Sequence, residues 1–200
     1  MRSFDSTELT YLQSRNGFKA HALLWVEVRN RATGLRVGVG LWTGEEDRDF
    51  IIDGGTRTYG GAGAILGLDA IVMQTGLTVR MQRLNLSPLA PEVIAMIRDY
   101  DAGLAPAQIH RAMFDPATGN LIAAPRRIWK GVVDSAQIHT AELGGESNVP
   151  LVLSSTAQSL TKGLSLTKSD AVQQLRGGDR MRRYKGSTGK ASVSWGEARK

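Results

Sequence analysis

The sequence contains no cysteine, so a disulfide bond, a thiolate nucleophile and a cysteine-bound metal are all excluded. It has no apolar signal region at its N-terminus. No apolar run approaches the roughly 20 residues that a membrane-spanning helix needs. We therefore expect a soluble protein that is made in the cytoplasm.

Common catalytic motifs are absent as well. There is no Gly-x-Ser-x-Gly elbow for a serine nucleophile. The glycines of 61–67 miss the dinucleotide-binding fingerprint by one residue, and no acidic residue follows at the required distance. The glycines of 186–190 are too close together for a phosphate loop, and Ala191 stands where such a loop has Ser or Thr. These departures predict a protein that is not an enzyme and that holds no cofactor.

Carboxylates and histidines leave two further kinds of site to weigh. Paired carboxylates of a hydrolase would have to come from Asp53, Asp99, Asp101 and Asp134, but turn and strand-end roles explain all four more simply. His21, His110 and His139 lie in separate predicted strands without the spacing of a metal site. The acidic loop at 45–49 lacks the alternation of a calcium loop. We expect no catalytic residue and no metal ligand.

Short alternating runs dominate what is present, and the stretch 76–134 organises them. It predicts a strand at 76–84, a helix that begins at 90–92, a strand at 107–114, a turn at 115–119 and a strand at 127–134. Met81 shares one face of the first strand with Leu77 and Val79. In the last strand Trp129 lies on an apolar face, and Gly131 marks a bulge or a close backbone approach. A sheet of so few strands is not stable by itself in water. This unit must therefore pair with further strands.

The flanking segments supply those strands. We predict a helix at 6–13, a hairpin of 20–28 with 35–42, a hairpin of 50–52 with 56–59, and strands at 65–72, 136–143 and 149–153. The strand at 136–143 is expected to pair back on 128–133, and the helix at 6–13 to face inward through Leu9 and Leu12. The fold class is therefore mainly β, a barrel or sandwich with one inserted helix.

The excess of positive over negative charge lies at the end of the chain. The net charge is +6, and the residues from Arg176 onward account for all of it. We divide the chain into a β domain at 1–155 and a basic, extended C-terminal arm at 156–200, which contains a short helix at 169–175 and a last strand at 191–195. The residues of this arm that we expect at a subunit interface are Arg176, Arg180, Arg182, Arg183, Tyr184, Lys185 and Trp195.

The order of several short motifs resembles the N-terminal part of the tail-tip, or baseplate, hub proteins of long-tailed bacteriophages and gene transfer agents. The motifs are the acidic loop, Phe50-Ile-Ile-Asp-Gly-Gly-Thr-Arg-Thr-Tyr59, Gly76-Leu-Thr-Val79, the helix at 93–101, Ala107-Gln-Ile109 and Ile128-Trp-Lys-Gly-Val-Val-Asp134. The resemblance covers about residues 40–155. The larger members continue into a second domain with cysteines, which the basic segment replaces here.

The resemblance implies a tail-tube-type β-barrel that assembles as a ring and extends the tail tube toward the tip. It implies a structural protein of the virion tail, made and assembled in the host cytoplasm, that contacts the distal tail protein, the tip or fibre proteins and the C-terminus of the tape measure. A homotrimer is expected, with a hexameric distal tail protein as the alternative.

The resemblance implies no catalytic residue, no cofactor and no membrane anchor, and it implies that the protein meets DNA only in passage. Outside this class, a β-barrel that binds nucleic acid through the basic arm is the remaining alternative.

Overall fold

The computed structural model describes residues 5–72, 76, 78–143, 145–161 and 167–188. The chain forms two compact units, Met1–Thr161 and Lys162–Lys200. The first unit is mainly β, which confirms the predicted fold class. No helix among the described residues is long and apolar enough to cross a membrane.

The described residues of the first unit form ten strands and three short helices. The strands are β1 (Lys19–Asn30), β2 (Arg36–Trp42), β3 (Arg48–Ile52), β4 (Gly55–Tyr59), β5 (Ile65–Leu68), β6 (Met81–Leu86), β7 (Tyr100–Asp101), β8 (Pro106–Phe114), β9 (Arg126–Ala136) and β10 (Val149–Ser155). The helices are α1 (Ser6–Gln13), α2 (Pro91–Arg98) and α3 (Gln158–Thr161). The second unit contributes α4 (Asp170–Gln174) and α5 (Lys185–Thr188).

Eight of the strands form one curved antiparallel sheet, in the order β2-β1-β8-β9-β10-β6-β5, with β7 paired to the end of β1. The strands β3 and β4 form a separate two-stranded sheet. The order places the predicted strand at 127–134 in the centre of the main sheet, between β8 and β10. It leaves β2 and β5 as the two edges.

Both predicted hairpins form, because their turns contain the residues that such turns require. The side chain of Asn30 accepts hydrogen bonds from the backbone N–H groups of Ala32 and Thr33 in the turn between β1 and β2. Between β3 and β4, Asp53 and Gly54 both have positive φ angles, of 52° and 78°. A two-residue turn of this kind matches the twist of the paired strands.

The predicted inserted helix is α2, between β6 and β7. It begins with Pro91 at its first turn, where the missing N–H costs no hydrogen bond. Val93 and Met96 are buried in the core, whereas Ile94 is exposed. The helix therefore packs on the main core through Val93 and Met96.

The main core lies between the concave face of the sheet and α2. It contains apolar side chains from every large strand of the sheet, and its fully buried members include Leu24, Leu41, Leu84, Ile109, Leu151 and Leu153. Trp129 of β9 belongs to this core and is 8% exposed. The prediction that Trp129 lies on an apolar face of a central strand is confirmed.

Gly131 of β9 allows the close backbone approach that the sequence predicted. A Cβ atom at this position would lie 2.0 Å from the carbonyl oxygen of Ser154 on β10 and 2.3 Å from the indole ring of Trp129. The irregularities of pairing occur elsewhere on the strand, where β8 and β10 change register against it. Gly131 is thus a packing requirement of the sheet.

Expectations about faces, bounds or pairing were wrong at β6, at α1 and at the segment 136–143. Met81 is exposed, and Gln82, Leu84 and Leu86 face the core instead. Burial of Gln82 is compatible with its polarity because its amide Nε2 donates to the carbonyl oxygen of Asp69 at 2.7 Å. The strand also begins at Met81 rather than at position 76.

The helix α1 faces inward through Glu8, which is buried 3.8 Å from Arg126, while Leu9 is exposed. The segment 136–143 does not pair back on 128–133, since β9 continues to Ala136 and β10 pairs with β9 instead. Segment 136–143 makes a single bridge, between His139 and Asn148.

Candidate assembly surfaces

The β3–β4 hairpin covers the convex face of the sheet over β1 and β8. Phe50 and Tyr59 of the hairpin are buried against Leu23 and Phe114 in a second core. The aromatic rings meet edge to face, with 5.6 Å between the centroids of Phe50 and Tyr59. Because such contacts are directional, they fix the hairpin at one position on β1.

Two glycines of β2 make room for this packing. The indole ring of Trp25 on β1 lies over Gly38, where a Cβ atom would come within 2.0 Å of the ring. At Gly40 a Cβ atom would lie 2.4 Å from the carbonyl oxygen of Thr58. The guanidinium of Arg57 lies 5.0 Å from the centre of the Trp25 ring, in cation–π geometry. The alternating glycines therefore let β4 and Trp25 approach the backbone of β2.

A buried histidine lies in β8 on the convex face of the sheet. His110 is almost completely inaccessible to solvent. Burial, followed by the nearby charge of Arg57, lowers its pKa to about 4 from the usual value of 6.5. Burial also raises the pKa of Tyr59. Both side chains are therefore neutral at pH 7.

The acidic loop at 45–49 is hydrogen-bonded both to β2 and to the corner at 60–63. The indole N–H of Trp42 donates to the carbonyl oxygen of Glu46 at 2.8 Å. The carboxylate of Asp47 accepts from the backbone N–H of Gly61 at 3.0 Å. The backbone carbonyl of Glu45 accepts from the N–H of Ala62 at 2.9 Å. These hydrogen bonds hold β2 and the chain that leads to β5 together through the loop.

The four carboxylates that a hydrolase would need have separate local partners. Asp53 lies 3.7 Å from Arg57 in the hairpin turn, and Asp99 ends α2. The carboxylate of Asp101 accepts from the N–H of Gly103 in the turn that follows β7, and that of Asp134 accepts from the amide of Gln158. Among the described residues there is no group of three His, Cys, Asp or Glu side chains that could hold a metal.

The edge of β2 offers backbone groups to another strand. Asn30 donates to Leu35, so the odd-numbered residues of β2 form the hydrogen bonds to β1. The backbone N–H and C=O groups of the even-numbered residues point away from β1, and those of Gly40 and Trp42 bond to Gly60. Further along the same edge, Arg36 and Gly38 have no bonded strand beside them in the described part of the chain. The unpaired length of β2 is a candidate site for strand addition.

Six of the seven predicted interface residues lie in the described part of the second unit. The helix α4 begins at Ser169, whose hydroxyl accepts from the N–H of Val172, which confirms the predicted capped helix. Asp170 accepts a hydrogen bond from Arg180 at 3.1 Å, and this bond holds the pKa of the carboxyl below its usual value. The Nζ of Lys185 donates to the carbonyl oxygen of Lys168 at 2.8 Å.

The other predicted residues of this unit combine charge with exposed apolar surface. Arg176 and Arg182 line a groove of about 330 Å³ together with Val172 and Met181. Met181 is 86% exposed and Tyr184 is 65% exposed, and the guanidinium of Arg183 lies 5.4 Å from the ring centre of Tyr184. The last predicted interface residue, Trp195, and the predicted strand at 191–195 lie outside the described residues.

Sequence reasoning missed the β2 edge as a site. The signal was the run Arg36-Val-Gly-Val-Gly40, in which glycines alternate with valines at the end of a hairpin. An alternation with glycine marks a strand that something approaches closely. Here β4 and the Trp25 ring approach it from the convex side.

No protein-family model matches the chain, and no curated protein matches it in sequence. Among solved structures, the fold is similar to that of a chain in the virion of a native gene transfer agent (GTA) particle, with a TM-score of 0.52 and 16% sequence identity. The similarity covers 83% of this chain and 50% of that chain, so the protein spans half the length of the virion chain that it matches.

Proposed function

We propose that the protein is a structural component of the virion of a long-tailed phage or a related gene transfer agent. The observation that carries this proposal is the curved antiparallel sheet, which resembles the fold of a chain from a GTA virion. The sequence resemblance to tail-tip proteins, stated above from the order of the motifs, is an independent reason to choose the same class.

Within that class, the role we propose is a hub of the tail tip. The chain would form a ring that extends the tail tube and links the distal tail ring to tip and fibre proteins, with the tape-measure C-terminus as a further contact. The two edge strands of the main sheet, β2 and β5, support assembly, because a sheet edge that lacks a bonded strand in the described part of the chain is a template for another strand. The expected ring is a homotrimer, and a hexameric ring would identify a distal tail protein instead.

The role is one of assembly and not of catalysis. The local turn and element-end contacts of Asp53, Asp99, Asp101 and Asp134 support this proposal, because they account for each carboxylate without a catalytic role. The basic second unit supports a binding role, because its arginines accompany apolar side chains that lie in solvent. We propose that this unit orders on an acidic surface of a neighbouring subunit.

The experiment is to locate the chain in particles. An epitope tag is inserted at the hairpin turn 53–55, which is exposed, and purified particles are labelled with antibody and imaged. We expect label at the tail tip, below the tube. Untagged particles treated with the same antibody provide the control. Label on the head, along the whole tube, or on no particle would contradict the proposal.

A nucleic-acid-binding β-barrel is the second candidate, because Arg182, Arg183 and Tyr184 form a basic surface with an aromatic ring. Such a protein would bind single-stranded or duplex DNA with an affinity that falls steeply with salt. Fluorescence anisotropy with a labelled oligonucleotide between low and physiological salt measures this. Salt-sensitive binding that an R182E/R183E variant abolishes would favour this candidate over the tail-tip role.

A further inference from the structure

We propose that residues 191–195 of one copy add as a strand to the free edge of β2 in a neighbouring copy, with Val193 on the same face as Val37. The inference rests on the proposed function, because it names the contact by which the C-terminal region of one subunit would hold the next. Such strand addition uses backbone hydrogen bonds for affinity and alternate side chains for specificity.

The edge itself is suited to a short strand. Among the described residues, no strand bonds to the outer edge of residues 36–39 of β2, whereas Gly60 occupies the outer bonds of Gly40 and Trp42. The segment Ala191-Ser-Val-Ser-Trp195 has a similar length and alternates apolar with small polar residues, as strands do. It contains no proline, so all of its N–H groups can donate.

A groove runs along this edge, and its walls select a face for each side chain. It has a volume of about 260 Å³, and its lining includes Val37, Gly38, Thr58, Gly60, Glu92 and Ala95. The wall formed by α2 lies on the side of Val37 and Val39, which is the side of the main core. The wall formed by β4 lies on the side of Gly38, where space is limited.

This asymmetry matches the alternation of the segment. The side chains of Ala191, Val193 and Trp195 would lie on the same face of the sheet as Val37, which is apolar and 36% exposed. The serines at 192 and 194 would face the glycine side, where larger residues would meet Trp25 and β4.

Charge favours the same pairing. The groove contains the carboxylates of Glu92 and Asp47, and Asp47 already accepts from the N–H of Gly61. The segment itself is uncharged, but it follows Lys190 and is followed by Glu197, Arg199 and Lys200, a net flanking charge that is positive. Positive charge on both sides of a strand that lies beside an acidic groove raises the association rate and the specificity.

The opposite sheet edge is less suitable. Pairing along β5 changes register between Ile65 and Gly67, and Leu66 is exposed at that irregularity. A bulge of this kind interrupts the regular row of donors and acceptors that an added strand needs.

Donor and acceptor surfaces are different parts of one chain. Each copy can therefore give one strand and receive one, which is the heterologous contact that closes a ring.

Cysteine cross-linking tests the contact, because the natural chain has no cysteine to compete. Val37 bonds to β1, so it would be a non-hydrogen-bonded position toward an added strand, where Cβ atoms come close enough for a disulfide. Full-length chains that carry only V37C are mixed with tagged full-length chains that carry only V193C. They are oxidised in the purified mixture and in particles assembled from it.

We expect the V37C and V193C chains to shift together from 21.6 kDa to a mixed dimer on a non-reducing gel. Two matched controls should form far less of it: S192C with V37C, which moves the thiol to the other face, and V193C with I51C, which places it on the exposed side of the hairpin. The mixed dimer with both controls negative supports the proposal.

Three results would overturn the inference: no mixed dimer in either preparation, equal cross-linking by S192C, or a link within single chains of the V37C/V193C double variant without any mixed dimer. Antibody labelling separates this failure from that of the proposed function. If particles carry the chain at the tail tip but the cross-link is absent, only the strand addition is wrong. If particles lack the chain, the proposed function itself is wrong.

Discussion

Replacing Gly131 by alanine is the sharpest test of how the main sheet is packed. The new Cβ atom would lie 2.0 Å from the carbonyl oxygen of Ser154 and 2.3 Å from the Cη2 atom of Trp129. Non-bonded atoms of this kind prefer separations of about 3.5–4.0 Å. One or both neighbours must therefore move by more than about 1 Å.

Neither neighbour can move easily. The carbonyl oxygen of Ser154 belongs to the backbone of β10, which is paired on both sides. The ring of Trp129 is buried in the main core. Overpacking of this kind costs roughly 1–3 kcal/mol, and alanine offsets about 0.4–1 kcal/mol of it by restricting the unfolded chain. Because both contacts are with buried groups that cannot give way, the upper end of the overpacking cost applies, and subtracting the offset leaves a net loss of about 2 kcal/mol in the free energy of unfolding.

Urea unfolding followed by tryptophan fluorescence measures the loss, and a melting curve should show a decrease of roughly 4–8 °C in Tm. The matched control is Gly67→Ala, on an edge strand of the same sheet, where the nearest atom to a new Cβ is 3.9 Å away. We expect that variant to change stability by less than about 0.5 kcal/mol. Equal unfolding midpoints for G131A and G67A would refute the packing argument.

Three further predictions concern the core, the convex face and the second unit. Trp129→Ala should destabilise the protein by roughly 3–5 kcal/mol, because the ring is buried; an unchanged melting temperature would contradict its place in the core. Because the pKa of His110 is lowered to about 4, the unfolded chain binds this proton first as pH falls below 6.5. The free energy of unfolding should therefore decrease as the pH falls from 6.5 to 4, by at most roughly 1.4 kcal/mol per pH unit. The H110F variant should show a flatter dependence of this free energy on pH when it is measured by urea unfolding. An unaltered slope in H110F would contradict the prediction. Deleting residues 176–200 should leave the β unit folded by circular dichroism but prevent assembly of the tail tip, and infectious particles built as efficiently from the truncated chain would exclude an assembly role.

Much of the β architecture was predictable from local patterns. The turns at 30–34 and 53–55 contain the Asn, Asp and Gly residues that their backbone angles need, so both hairpins could be read from the sequence. The inserted helix was equally clear, because the apolar spacing changes after β6 and Pro91 suits a first turn.

Faces and pairings were harder, because they depend on distant contacts. At β6 the apolar residues occur on both parities, and burial is decided by Leu84 and Leu86, with Gln82 satisfied by a carbonyl from a separate segment. In α1, Glu8 is buried because Arg126 lies beside it, and no local pattern announces that partner. The place of β10 between β9 and β6 is likewise a property of the whole sheet.

The candidate surfaces divide in the same way. Charge and scattered apolar residues indicated the second unit from the sequence, and the structure gives Arg180 and Lys185 local partners there. The alternating glycines of 36–40 marked β2 as a strand that other groups approach closely, but the part of its edge that stays free was not predictable, since it depends on where Gly60 and α2 lie beside the strand.

The central claim is that copies of this chain form a ring at the tip of a virion tail. A reconstruction of the tail tip of purified particles, computed first without imposed symmetry, tests it most directly. The account predicts a closed ring of this β fold below the tail tube, with three copies. One copy at the tip, or a tip without a ring of this chain, would contradict it.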